Sequence, residues 1–353
     1  MFLSLKEIKK EKFRYGLIIG MIVLIGYLIF ILTSLSMGLA NQNTDAINSW
    51  NVKSIVLDKD ANTSLTQSLI TSDAVKKSKI TKNEAYLGQA AVVAKKNGLT
   101  KESAQYLGLK ENQFIAKNLK LTAGHNFKKS NEVVVDEKFQ NDGYKLGDKI
   151  KFNSASTAYT IVGFVKNAKL NIAPVIYGNI DNWLAIKSLN GPFRASAIVS
   201  KNANFKLKDN QVKTYSIANF ISKLPGYSAQ NSTFTFMIGF LMIISLIVIA
   251  VFLYILTIQK IQNYAVLRAQ GIPSRTLVSA TLSQSVILVV SGLIIATIFT
   301  AITAFVMPAA VPMSFNIPVL SAVGLGLVLT GLLGSLIPIK IILNVDPVSV
   351  IGG

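Results

Sequence analysis

Long uncharged apolar runs frame one extended stretch of short alternating segments. Phe234 to Ile258 is an uncharged run of 25 residues, long enough at about 1.5 Å rise per residue to cross roughly 30 Å of hydrocarbon with some tilt. Tyr15 to Leu39 is a second such run, and Thr276 to Met307 and Val319 to Ile339 are a third and a fourth. Pro308, Pro312 and Pro318 break the chain between the last two. The pattern predicts membrane helices over 15–39, 231–259, 277–307 and 319–339, with a short outer loop over 308–318. At the start, Phe2, Leu5 and Ile8 fall at helical spacing among lysines, the pattern of an interfacial helix over 1–14. The apolar run that follows is longer than the roughly 7–15 residues of a signal-peptide core, so it reads as a retained anchor.

Residues 40–230 have a different texture. Val52–Leu57, Glu132–Val135, Lys149–Phe152, Tyr159–Val165 and Ser196–Ser200 read as strands, separated by turn signals such as Asn141-Asp142-Gly143 and Leu189-Asn190-Gly191. Ser64–Lys77 and Ser216–Lys223 read as helices. The expectation is an α-helical membrane protein with four transmembrane helices and a large α+β domain between helices 1 and 2.

Charge sets the topology. Lys6, Lys9, Lys10, Lys12 and Arg14 precede the first span and no basic residue follows it closely, which puts the N-terminus in the cytoplasm. The domain at 40–230 is then extracellular, 260–276 is a cytoplasmic segment, and 340–353 returns to the cytoplasm. The net charge is +19. Of the 36 basic and 17 acidic residues, 27 and 14 lie between Asn41 and Gln230. A dispersed lysine surface without a recognition motif does not point to nucleic acid.

Chemistry is narrowed by what the sequence omits. It contains no cysteine and one histidine, His125, so thiolate sites, disulfides and a His-rich metal site are excluded; His125 lies in the turn-like Thr122–Asn126 and reads as a surface residue. No Gly-x-x-x-x-Gly-Lys-Ser/Thr motif is present. The four spans hold no Asp, Glu, Lys, Arg or His, which argues against an ion-coupled transporter or a charge-lined channel. Any energy must come from another subunit. Gly292, Ala296, Thr300 and Ala304 form a small-residue stripe, and Gly16 and Gly20 have the spacing of a close-packing motif.

Three segments in this order carry a resemblance. Asn131–Val135 followed by Leu146-Gly147-Asp148-Lys149-Ile150 and Tyr159–Gly163 resembles the outer core domain of FtsX/MacB-type ABC transporter permeases. Asn263–Gly271 resembles that family's cytoplasmic coupling segment, with Asn263 where the family often has Glu, and Val345–Ile351 resembles its C-terminal motif. Lys12–Tyr15, Met37–Ala40, Gly226–Gln230 and Thr257–Ile261 are most similar to the HrtB-like haemin efflux permeases of Gram-positive bacteria.

The resemblance implies a non-catalytic permease subunit in the cell membrane, working as a homodimer with a separate cytoplasmic ABC ATPase that uses ATP. It implies haem as a substrate rather than a bound cofactor. Tyr264, Leu267, Arg268, Gly271, Ile272 and Arg275 are then candidates for ATPase coupling, Ile261, Tyr264, Leu267 and Ile272 entering a groove on the partner while Arg268 and Arg275 meet its rim. Met37, Gln42, Tyr227, Phe234 and Met237, at the outer ends of the first two helices, are candidates for substrate binding, because Tyr and Met can ligate haem iron and aromatic rings stack on the macrocycle. Lys169 or Lys223 could attract the haem carboxylates. Gln42 stands where an acidic residue is expected and is a poor axial ligand. Export of another amphipathic toxin, peptide or lipid is the alternative within the family, and regulation of a cell-wall hydrolase is the alternative outside transport.

Overall fold

The computed structural model describes residues 11–308 and 311–345. The apolar positions of the N-terminal interfacial pattern and residues 346–351 of the C-terminal motif lie outside those residues. The chain forms two compact units, one from residues up to Gly38 together with those from Asn231 onward, the other Leu39–Gln230.

Four helices are long and apolar enough to cross a membrane: Lys12–Ser49, Tyr227–Ile258, Ser274–Val306 and Ile317–Leu343. The last consists of Ile317–Gly334 and Leu336–Leu343, meeting at Ser335. The first helix continues ten residues past the apolar run that predicts it. Its polar extension stays helical because side chains bond back along the helix, Asn43 Nδ2 to the Leu39 carbonyl at 3.0 Å and Thr44 Oγ1 to the Ala40 carbonyl at 2.9 Å. Ala46, Ile47 and Trp50 at its end are buried in the core of the second unit.

Close approach organises the helical unit. A Cβ on Gly292 would lie 2.5 Å from Ile22 Cγ2, and one on Gly331 would lie 2.6 Å from Val289 Cγ2. Ser285 Oγ donates to the Gly331 carbonyl at 2.9 Å, fixing the third helix on the fourth. Without a hydrophobic driving force between helices in lipid, such close contacts and buried hydrogen bonds supply the association. Of the predicted stripe, Gly292, Ala296 and Thr300 are buried, while Ala304 faces outward.

The second unit is α+β. Its strands are β1 (Ser54–Asp58), β2 (Ile70–Thr71), β3 (Glu84–Lys95), β4 (Glu102–Leu109), β5 (Leu121–Gly124), β6 (Glu132–Asp136) and β7 (Lys149–Phe152). They continue as β8 (Ala158–Val165), β9 (Lys169–Leu170), β10 (Ala173–Asn179), β11 (Phe193–Ala195), β12 (Ala197–Ser200) and β13 (Val212–Ser216). The pairings β3-β4-β10-β6-β8-β7 return to β3 and close a ring of six strands, while β12-β1-β13 extends from the first half of β3. β4–β10 and β6–β8 are parallel; the other ladders of the ring are antiparallel. Val133, Val135, Ile161, Ile176 and Tyr106 belong to one apolar cluster, and their neighbours Val134, Val175, Tyr177 and Leu107 to another. Both strand faces are buried, which is why Glu132–Asp136 reads as an unbroken valine run.

Gly88, Gly108 and Gly178 sit side by side across β3, β4 and β10. Three neighbours cover this row: a Cβ on Gly88 would meet the Trp183 ring at 2.5 Å, one on Gly108 the Ile180 Cα at 2.8 Å and one on Gly178 the Tyr106 hydroxyl at 2.7 Å, and the Trp183 indole Nε1 donates to the Gln89 carbonyl at 2.9 Å.

Several segments differ from the sequence expectation. Ser64–Lys77 is helical only over Ser72–Lys76, because Ser68 Oγ is drawn into bonds with the Ser196 carbonyl at 2.5 Å and the Asp58 amide at 2.9 Å, and Ile70–Thr71 pairs with β11. Ser216 caps the shorter helix Ile217–Ser222. β3, β4 and β10, the middle of the sheet, have no counterpart among the predicted strands.

Gly88→Ala should destabilise the second unit by about 1–3 kcal/mol through overpacking against Trp183. Thermal unfolding of the purified full-length protein followed by tryptophan fluorescence checks this; an unchanged midpoint would contradict the packing described.

Candidate functional site

Every charged side chain among the described residues of the helical unit lies at one end of it: Glu11, Lys12, Arg14, Lys260, Arg268, Arg275 and Lys340. A polar node is buried there. Tyr15, Lys260 and Gln284 come from the first helix, the end of the second and the third, and are 0%, 8% and 4% exposed. Lys260 Nζ donates to the Tyr15 hydroxyl at 2.9 Å, and Gln284 Nε2 donates to the same oxygen. One phenolic oxygen has two lone pairs, so it accepts both bonds and ties three helices together. The ammonium also lies over the Tyr15 ring, 5.5 Å from its centroid. Sequence reading missed this node because its members are 269 positions apart at most and each looks ordinary alone.

Beyond Lys260 the chain forms the short helix Ile261–Ala269. Its apolar stripe is taken up internally in part. Tyr264 packs with Leu277 and Ile342 in a small core, with Leu267, Ile272 and Val278 against it. Tyr264 is buried in this core, while Leu267 and Ile272, like Ile261, are half-buried and keep part of their apolar surface open. Arg268 donates to the Val345 carbonyl, pinning the segment to the end of the fourth helix. Gly271 has φ +88° and open space around its Cβ position; its amide bonds the Arg268 carbonyl at 3.0 Å and ends the helix. Arg275 is exposed, as are Gln262, Asn263, Val266 and Ala269.

The outer-end candidates fall on both units. Met37 and Phe234 in the helical unit are half-buried, and Met237 is exposed. Gln42 is half-buried in the extension of the first helix, where its carbonyl accepts from the Ile172 amide at 3.1 Å. Tyr227 packs against the domain cluster that contains Phe220 and Leu224, so its ring serves the domain core. Phe236 and Phe240, which the sequence did not single out, stand exposed one turn apart with centroids 5.3 Å apart. An exposed apolar face also runs along the first helix through Phe13, Leu17, Met21, Leu24 and Leu28. Gly16 and Gly20 lie on it with nothing within 4 Å of their Cβ positions. His125 is exposed, its ring Nδ1 2.9 Å from the Asn126 carbonyl, as expected of a turn residue.

A helical unit with four candidate spans and a mixed-sheet domain inserted after its first helix define a multi-span membrane protein with one large folded domain. Residues 15–212 match the MacB-like periplasmic core domain and residues 235–347 the FtsX-like permease C-terminal family. The chain belongs to the FtsX/MacB-like ABC permeases. That makes it a transporter subunit, not a catalytic enzyme. It is 28% identical over its whole length to a protein of Staphylococcus haemolyticus named putative hemin transport system permease protein HrtB, and 28% identical to one of the same name from Staphylococcus epidermidis, covering 99% of each. Among solved structures it is similar to the periplasmic region of MacB from Actinobacillus actinomycetemcomitans, with 13% identity, a TM-score of 0.37, and coverage of 49% of this chain and 92% of that one.

Tyr15→Phe removes the oxygen shared by Lys260 and Gln284 and should lower stability by about 1–3 kcal/mol, the cost of leaving buried donors without that acceptor. Thermal unfolding in detergent checks it, with Tyr27→Phe, which loses only the 2.9 Å half-buried hydroxyl contact to Thr303 Oγ1, as the milder reference.

Proposed function

We propose that this chain is the permease of an ABC-type export system that removes haemin from the membrane, driven by a separate cytoplasmic ATPase. The observation that carries the substrate is the end-to-end similarity to relatives named as hemin transport permeases. In this reading both termini and the basic end of the helical unit face the cytoplasm, as the positive-inside rule requires. Two copies pair through the faces of the first and second helices, where Gly16, Gly20, Phe236 and Phe240 offer uncovered apolar surface.

The ATPase meets the exposed side of Ile261–Ala269 and Arg275. Its closure on ATP moves this segment, and the Tyr15–Lys260–Gln284 node passes the displacement to three helices together. Haemin, a flat apolar body with two carboxylates, enters laterally at the outer ends of the helices. Met37, Phe234 and Met237 of the helical unit are the candidate contacts for the macrocycle, Gln42 and Tyr227 are further candidates for binding it, and Lys169 or Lys223 would attract the carboxylates. The absence of an ionisable residue in the spans fits a route along the protein surface instead of an aqueous pore. Gln42 favours a second reading in which the same machine exports another amphipath, since an amide is a weak iron ligand.

Deleting the gene should reduce growth in haemin and leave growth without it unchanged. Purified protein should shift the haemin Soret band, and Met237→Ala should weaken that binding about tenfold. Unchanged haemin tolerance together with an unshifted Soret band would overturn the haemin assignment while leaving the permease class intact.

A further inference from the structure

The hairpin between β9 and β10 carries a residue that its own geometry disfavours. Leu170 pairs with Ala173, so Asn171 and Ile172 alone connect the strands. Both have positive φ, 50° and 70°, as a two-residue type I′ turn requires, and Asn-Gly is the pair that fills such a turn most readily. Asn171 is the expected first residue. Ile172 stands where glycine is expected, and a β-branched side chain in the left-handed region is strained because its Cβ crowds the backbone. Thr63 is the other β-branched residue with positive φ among the described residues, at 60°. It is buried, and its hydroxyl donates to the Asn62 carbonyl at 2.6 Å.

Ile172 has neither compensation. It is 49% exposed and joins none of the apolar clusters among the described residues. In the Leu39–Gln230 unit the one other exposed large apolar side chain is Leu146, whose Cδ2 lies against Gly124. The remaining exposed large apolar residues belong to the helical unit. A lone exposed isoleucine is ordinary, but one kept in a strained turn is not, and strain of this kind collects at sites of function.

The turn is also fixed in place. The Asn171 amide donates to the Asn43 carbonyl at 3.2 Å and the Ile172 amide to the Gln42 carbonyl at 3.1 Å. The turn therefore lies along the first helix, with Ile172 nearer the uncharged run that ends at Leu39. Gln42 is three residues beyond that end, about 4.5 Å along a helix axis. This falls within the about 5–8 Å of headgroup layer that flanks the hydrocarbon on each side. At that depth an apolar side chain reaches the acyl-chain boundary, where its burial is favourable.

We propose that the Asn171-Ile172 turn is a membrane anchor: Ile172 inserts into the lipid surface beside the first helix and holds the polar extension of that helix at the interface. Its partner is the bilayer itself, and the anchor is independent of the haemin assignment.

The chain has no cysteine, so Ile172→Cys and Leu146→Cys can each carry a bimane fluorophore in full-length protein reconstituted into phosphatidylcholine vesicles. Phosphatidylcholine bearing a nitroxide near the headgroup end of its acyl chain should quench the label at 172 about twofold or more above that at 146, and iodide on both sides of the membrane should show the reverse order. In detergent, Ile172→Gly should raise the thermal unfolding midpoint, because glycine enters the left-handed region freely, whereas Ile172→Ala, which keeps the Cβ, should not. Equal quenching of the two positions by iodide would overturn the anchor. So would shielding of position 172 from both quenchers, which would place a protein partner there. A midpoint unchanged or lowered by glycine would remove the strain on which the proposal stands.

Discussion

A buried lysine at the end of an apolar helix bundle has to be held, because its charge is costly away from water unless hydrogen bonds and a polarisable neighbour receive it. Lys260 is held by Tyr15, and Gln284 uses the same oxygen. This one phenol therefore fixes the inner ends of the first three helices relative to one another. Immediately beyond it the Tyr264–Leu277–Ile342 core and the Arg268 bond to Val345 lock the short helix to the third and fourth. All four helices are gathered at the end where the charges are, so a force applied to the exposed side of Ile261–Ala269 meets a jointed block.

Along the rest of the unit the contacts are of another kind. Glycines at 292, 331 and 334 let helices touch closely: a Cβ on Gly334 would lie 3.1 Å from the Ala250 amide nitrogen. Gly16 and Gly20 use the same residue type on a face that none of the described residues covers within 4 Å. The contrast divides the small residues into those that build one copy and those left for lipid, cargo or a second copy.

Much of this was legible in the sequence, for a physical reason: a membrane span needs a long uncharged run, and nothing else in the chain imitates one. The coupling segment was legible as an amphipathic helix, but periodicity shows only that a face is covered, not by what. Tyr264 is covered from within, by Leu277 and Ile342. The middle of the sheet was not legible. β3 is rich in alanine and β4 and β10 carry glycines, residues that weaken a strand in isolation; there the glycines make room for Trp183, Ile180 and Tyr106, whose positions only the fold reveals. The node around Tyr15 depends on three helices meeting, so it leaves no local pattern.

The central claim is that the ATPase docks on the exposed side of Ile261–Ala269 while the apolar side stays inside. The protein contains no cysteine, so single cysteines can be placed at Gln262, Val266 and, as the buried control, Ala265, and labelled with a maleimide in membranes with and without the ATPase and ATP. The account predicts rapid labelling at 262 and 266 that the ATPase slows about tenfold or more, and slow labelling at 265 throughout. Labelling at 262 and 266 that ignores the ATPase, or at 265 that is fast until the ATPase is added, would contradict it.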